Sequence, residues 1–130
     1  MSPEDQRKFS RFEVRLSAFI TPVPDEDSSD ALWYRRRNKE KPAIITDLSA
    51  TGLHFISETN YSAGTQVWVS IMINEKAYPI RTMVRRQNSH MREGKTIYGH
   101  GVQFLRSDFA MEAAKAVMDY LESLLKAKKK

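Results

Sequence analysis

The chain predicts a mainly β fold: a six-stranded antiparallel barrel followed by a C-terminal α-helix. Three observations point there. Apolar residues alternate with polar ones over most of the chain, which is the period-2 pattern of half-buried strands. Turn residues separate the alternating runs. The pattern then changes to a 3.6-residue period near the C-terminus. Six short strands leave exposed edges unless the sheet closes, so a small barrel is favoured over an open sheet.

The first strand starts at Phe12, where Phe12, Val14, Leu16, Ala18 and Ile20 share one parity and Glu13, Arg15 and Ser17 the other; Phe19 departs from it. Thr21 to Pro42 reads as a long connection. It opens with Pro22 and Pro24, residues that break pairing. An acidic cluster from Asp25 to Asp30, a short apolar patch Ala31-Leu32-Trp33-Tyr34 and a basic run from Arg35 to Lys41 follow. Connections of this length are uncommon and are often functional or disordered.

Ala43 to Leu48 is the second strand, and Asp47 to Gly52 carries turn residues. Leu53 to Ser57 is the third strand, followed by a turn from Asn60 to Gly64. Val67, Val69, Ile71 and Ile73 define the fourth, Asn74-Glu75-Lys76 a hairpin tip, and Tyr78, Ile80, Thr82 and Val84 the fifth. Gln87 to Lys95 is expected to be a polar loop. Ile97 to Leu105 is the last strand, with Tyr98, His100, Val102 and Phe104 in phase. Gly99 and Gly101 fall on the other parity, where a neighbouring element could approach the backbone closely.

The helix can be capped by Ser107 or Asp108. Ala114, Val117, Met118, Leu121, Leu124 and Leu125 form its expected apolar stripe. Cations from Lys126 onward suit the negative end of the helix dipole. The expected organisation is a flexible N-terminal arm over 1–11, the barrel and helix over 12–125, and a basic tail over 126–130.

Composition narrows the function classes. The 130 residues contain 21 Lys plus Arg and 16 Asp plus Glu, so the formal charge is +5. That excess hints at an anionic partner. The absence of Cys excludes disulfides and thiolate metal sites. His54, His90 and His100 fall on different elements, so no metal site is expected. No apolar run reaches the roughly 18 residues of a membrane span. The first residues lack the order of a secretory leader, so a cytoplasmic protein is expected. No Ser-His-Asp order, Gly-rich phosphate loop or paired-carboxylate pattern stands out, so an enzyme has no positive support.

Two short motifs carry binding chemistry. Arg7 and Arg11 are spaced R-x-x-x-R just before the first strand. A guanidinium grips phosphate and matches O6 and N7 of guanine as a bidentate fork. Spacing alone favours a solvated basic terminus. Asp47, Ser49 and Gly52 form D-x-S-x-x-G between two strands. A carboxylate can accept from guanine N1–H and N2–H₂, a Ser hydroxyl can serve phosphate or backbone, and Gly permits close approach. These are also ordinary turn residues.

Together and in this order, Gln6 to Val14, Asp47 to Leu53, and Gly101-Val102-Gln103-Phe104 resemble a PilZ domain. The resemblance runs from about Gln6 to Leu125. It implies a six-stranded barrel with a terminal helix, and a receptor for cyclic di-GMP that needs no other cofactor. It implies that Arg7 and Arg11 clasp guanine edges and phosphates while Asp47, Ser49 and Gly52 line the other side. Lys8 and Arg85 are further ligand-binding candidates, Arg85 by stacking on a guanine. In that family the residue before the first arginine influences whether one ligand or an intercalated pair binds; here it is Gln6.

The barrel and helix use nearly the whole chain, so output is expected through a partner protein, such as a signalling kinase, a methyltransferase or a motility component. Two alternatives stand beside this reading. One is an interaction module of the same fold without ligand. The other is a single-stranded nucleic-acid binder, permitted by the charge but lacking an aromatic ladder; DNA is not an expected partner.

Overall fold

The structure is a computed structural model, and it describes residues 12–23, 40–105 and 110–128. The elements in chain order are β1 (Phe12–Pro22), β2 (Lys41–Leu48), β3 (Gly52–Ser57), β4 (Gln66–Ile73), β5 (Lys76–Arg92), β6 (Lys95–Phe104) and α1 (Ala110–Lys128). The strands close into an antiparallel barrel in the order β1-β2-β3-β6-β5-β4, with β4 pairing back onto β1. The six expected strands and terminal helix are all present.

The alternating residues point inward as their parity requires. Ile20, Ile45, Phe55, Val67, Val69, Ile71 and Val84 are fully buried in one core cluster. β4 is buried on both faces. Trp68, expected to be partly exposed or packed under the helix, has no exposed surface, and the Arg81 guanidinium lies 5.9 Å from its ring centre.

Closure depends on strands that change partners. β1 pairs with β2 from Phe12 to Ile20 and with β4 from Ala18 to Pro22. β5 pairs with β4 from Lys76 to Met83 and with β6 from Thr82 to Arg92. A bulge falls where β5 leaves β4: Val84 faces Val102 and Arg86 faces Gly101, leaving Arg85 as the extra residue.

Four expectations about local structure are corrected. Thr21 and Pro22 belong to β1, and Lys41 and Pro42 to β2, so the connection is shorter than Thr21 to Pro42. Pro22 sits at the strand's last position, where a missing N–H is tolerated, and the Val23 N–H carries the ladder on to Gln66 O at 3.1 Å. Residues 24–39, with Trp33 and Tyr34, lie outside the described residues.

Gln87 to Lys95 is not a loop. It is the outer half of a β5–β6 hairpin, turned by Glu93 and Gly94 at φ 52° and 79°. Arg85 and Arg86 therefore stand within β5 rather than at its end, and His90 is an exposed strand residue. Asn74 and Glu75, also at positive φ, turn the β4–β5 hairpin. Two successive positive φ values match the type I′ turns that suit the strand twist.

The helix stripe is centred differently. Ala113, Val117 and Leu121 are buried in the core cluster, with Ala116, Tyr120 and Leu124 partly covered. Ala114 is exposed, and Met118 and Leu125 keep 44% and 45% of their surface. The helix runs to Lys128, so part of the expected basic tail is its last turn. Ser107 and Asp108 lie outside the described residues. Among the described residues no helix is long and apolar enough to cross a membrane.

Candidate ligand-binding site

The D-x-S-x-x-G residues shape the turn between β2 and β3. Asp47 lies on the outer face of β2, opposite Glu13 of β1 and His54 of β3. Ser49 is 5% exposed and faces its own turn. Its hydroxyl donates to Gly52 O at 3.2 Å and accepts from the Thr51 N–H at 3.3 Å, and its own N–H donates to Gly52 O at 3.0 Å. Of the two roles open to this hydroxyl, the backbone role is the one observed.

Gly52 is fixed by a close approach rather than by its φ. A Cβ there would stand 2.2 Å from the carbonyl oxygen of Val102, closer than any side chain tolerates. The Phe104 N–H donates to Thr51 O at 3.0 Å, so the turn is attached to β6 on both sides of that contact. A neighbouring element was expected to approach the backbone closely at Gly99 and Gly101; the side chains of Asn88 and His54 do so at Gly99, while Arg86 lies at ordinary contact distance from Gly101.

A cavity of about 340 Å³ opens beside this turn, bordered by Ser49, Thr51, Gly52, Arg85, Arg86, Gly101 and Gln103. The bulge explains why two arginines reach it. Regular alternation after the inward Val84 would turn Arg86 toward the core; the extra residue leaves Arg85 and Arg86 both exposed. The Arg85 Nε–H donates to Gln103 Oε1 at 2.8 Å.

The outer face carries an ordered row across five strands. Glu13 faces Asp47, Asp47 faces His54, His54 faces Gly101, and Gly101 faces Arg86. Neighbouring strands are about 4.8 Å apart, so the row separates carboxylates at one end from arginines at the other. The first end can accept hydrogen bonds and the second can bind anions. Gly101 leaves the middle low. His54 is held by Thr46, whose Oγ1 lies 2.8 Å from its Nδ1.

A larger apolar groove, about 490 Å³, lies toward the opposite end of β1 and β2 among Phe19, Ile44, Ile56 and Ile97. Among the described residues its charged neighbours are Lys41 and Glu58, with no arginine.

Arg7, Lys8 and Arg11 lie outside the described residues. The described chain nevertheless begins at this site: Phe12 pairs with Leu48 and Glu13 with Asp47. Arg86, Thr51 and Gln103 had no assigned ligand role in the sequence, although Gln103 has the outward parity of β6. His100 is not a site residue. It is fully buried, stacked on Phe55, and its Nε2 accepts the Tyr61 N–H at 3.0 Å. No cluster of metal-ligating side chains occurs among the described residues.

The PilZ domain family profile matches residues 5–122. The chain belongs to the PilZ domain family. Solved structures of similar fold include MrkH of K. pneumonia in its apo state, at TM-score 0.65 and 16% identity, covering 99% of this chain and 54% of that one. The PilZ domain of Escherichia coli YcgR with c-di-GMP superposes at TM-score 0.62 and 12% identity, covering 95% of both chains. The Bacillus subtilis inhibitor of motility MotI/DgrA superposes at TM-score 0.62 and 16% identity, covering 94% of this chain and 52% of that one. The chain thus spans about half the length of MrkH and MotI, and nearly all of the YcgR domain. Comparison with curated protein sequences gives no match.

Proposed function

We propose that this PilZ domain is a non-enzymatic receptor for cyclic di-GMP. One observation carries the reading. The R-x-x-x-R segment ends at Arg11, immediately before Phe12, and Phe12 and Glu13 pair with Leu48 and Asp47 of the second motif. This supports a guanine-nucleotide clasp whose D-x-S-x-x-G half lies beside the cavity bordered by Arg85 and Arg86 and whose R-x-x-x-R half precedes the adjoining strand in sequence. Arg7, Arg11 and Lys8 supply cations and guanine-edge forks. Asp47 accepts from guanine N1–H and N2–H₂. Gly52 and Ser49 hold the turn against which the ligand rests. Related structures whose ligand is c-di-GMP include the YcgR domain and an MrkH complex.

Ligand draws the arm over the barrel, and a partner protein such as a kinase, a methyltransferase or a motility component reads the changed surface. A ligand shifts such an equilibrium only through its differential affinity for the two states. In this reading the protein acts in the cytoplasm.

Calorimetric titration with cyclic di-GMP, with GTP and cyclic GMP as controls, tests the ligand and gives its stoichiometry. Saturable binding of cyclic di-GMP alone is expected. Absence of heat with all three overturns the receptor reading and leaves the interaction module and the single-stranded nucleic-acid binder. Hydrogen exchange of residues 1–11 with and without ligand then tests the clasp, which requires protection on binding.

A further inference from the structure

We propose that Gln103, oriented by Arg85, is a guanine-selecting residue; this rests on the receptor reading above. A glutamine amide is ambiguous by itself. Its oxygen accepts, its NH₂ donates, and rotation about the last bond exchanges the two. Free in a binding site, it accommodates guanine, which offers the acceptors O6 and N7, and adenine, which offers N7 and an amine donor.

In this structure the ambiguity is removed. Arg85 Nε carries a hydrogen and can only donate, so the atom it meets at 2.8 Å must be the amide oxygen. The NH₂ is thereby turned away from Arg85. Among the described residues none accepts a hydrogen bond from it. Both side chains border the cavity beside the D-x-S-x-x-G turn, and Gln103 pairs directly with Gly52 across β3 and β6. An amide held in this sense presents donors only, and it rewards a base edge made of acceptors.

Strand alternation and a bulge together furnish this surface. Met83 faces Gln103 in the regular ladder, Arg85 has the same outward parity two residues on, and the residue inserted after Val84 adds Arg86 to that surface. Arg85 is thus a positioning residue in this pair, in addition to any contact its planar face makes with a base.

The test measures binding of cyclic di-GMP and cyclic di-AMP to the full chain and to three variants, with thermal melting to establish that each is folded. Gln103→Ala is expected to weaken cyclic di-GMP about tenfold and to leave cyclic di-AMP unchanged, the loss of one net hydrogen bond. Gln103→Glu, which presents acceptors only, is expected to weaken cyclic di-GMP further. Arg85→Ala frees the amide to rotate, and the preference for guanine over adenine is expected to shrink.

Wild-type cyclic di-GMP affinity in a folded Gln103→Ala protein would overturn the assignment while leaving the receptor reading intact. Equal losses for both dinucleotides in Arg85→Ala would make Arg85 a simple cation and overturn its positioning role. A wild-type protein that binds neither dinucleotide removes the receptor reading and this inference together.

Discussion

His100 accepts the backbone N–H of Tyr61 through Nε2 at 3.0 Å, a bond between residues 39 positions apart and fully inside the core. The bond requires a neutral imidazole. Burial, and then the charge of nearby His54, push the His100 pKa down to about 4, against a weaker opposing backbone hydrogen bond. The unfolded chain binds this proton near the ordinary value of 6.5. Below that value the unfolded state therefore holds more protons than the fold.

The stability contributed by neutral His100 is complete above pH 6.5 and is lost as pH falls toward about 4. The size is on the order of 3 kcal/mol, at about 1.4 kcal/mol per pH unit of separation. Urea midpoints at pH 7.5 and 4.5 should differ by more in the wild type than in His100→Gln. Equal acid sensitivity in the two proteins would refute this origin.

Gly52→Ala should destabilise the fold. The added methyl meets the Val102 carbonyl, a backbone atom that cannot rotate away, and overpacking of this kind costs about 1–3 kcal/mol or more. A melting temperature equal to that of the wild type would show that β3 and β6 separate at little cost.

Asp47→Ala and Ser49→Ala should differ in kind. Asp47 is an outward-facing carboxylate with no turn-closing hydrogen bond of the Ser49 kind among the described residues, so its loss should reduce cyclic di-GMP affinity about ten- to a hundredfold with little change in melting. Ser49 holds its turn through two hydroxyl contacts, so its loss should lower stability by about 1 kcal/mol and weaken binding as a consequence. Calorimetry paired with thermal melts separates the two effects.

Arg7→Ala and Arg11→Ala should each abolish measurable cyclic di-GMP binding while the barrel melts as before. Each precedes the first core strand and removes a charge-assisted fork. Arg15→Ala should matter less, because Arg15 is an exposed residue within β1 and already belongs to the barrel wall. Loss of binding in Arg15→Ala with retention in Arg7→Ala would move the first motif by four residues.

The barrel was legible wherever one strand face is wet and the other dry, as along Val67 to Ile73. It was illegible from Arg85 to Thr96, which is exposed on both faces and so has no alternation to read. Pro22 suggested a break, yet it occupies the last position of β1. The D-x-S-x-x-G residues were legible as a group. Their division of labour was not, because the same hydroxyl that could bind phosphate is the one that closes the turn at Gly52. The outward turn of Arg86 beside Arg85 depends on one inserted residue, and a bulge has no periodic signature.

The hairpin beyond β3 has one more consequence. Ser57 is the last β3 residue to pair, with Tyr98, so from His90 to Ile97 the two strands bond only to each other. Two-stranded ribbons are marginal in water by themselves. This stretch can therefore fray and re-form without disturbing the closed ring. Its amides should exchange on a faster clock than those of β4. A protease that nicks near Glu93 should leave a barrel that still melts as one unit, and a graft or deletion at this tip should be tolerated where the same change at Gly52 is not.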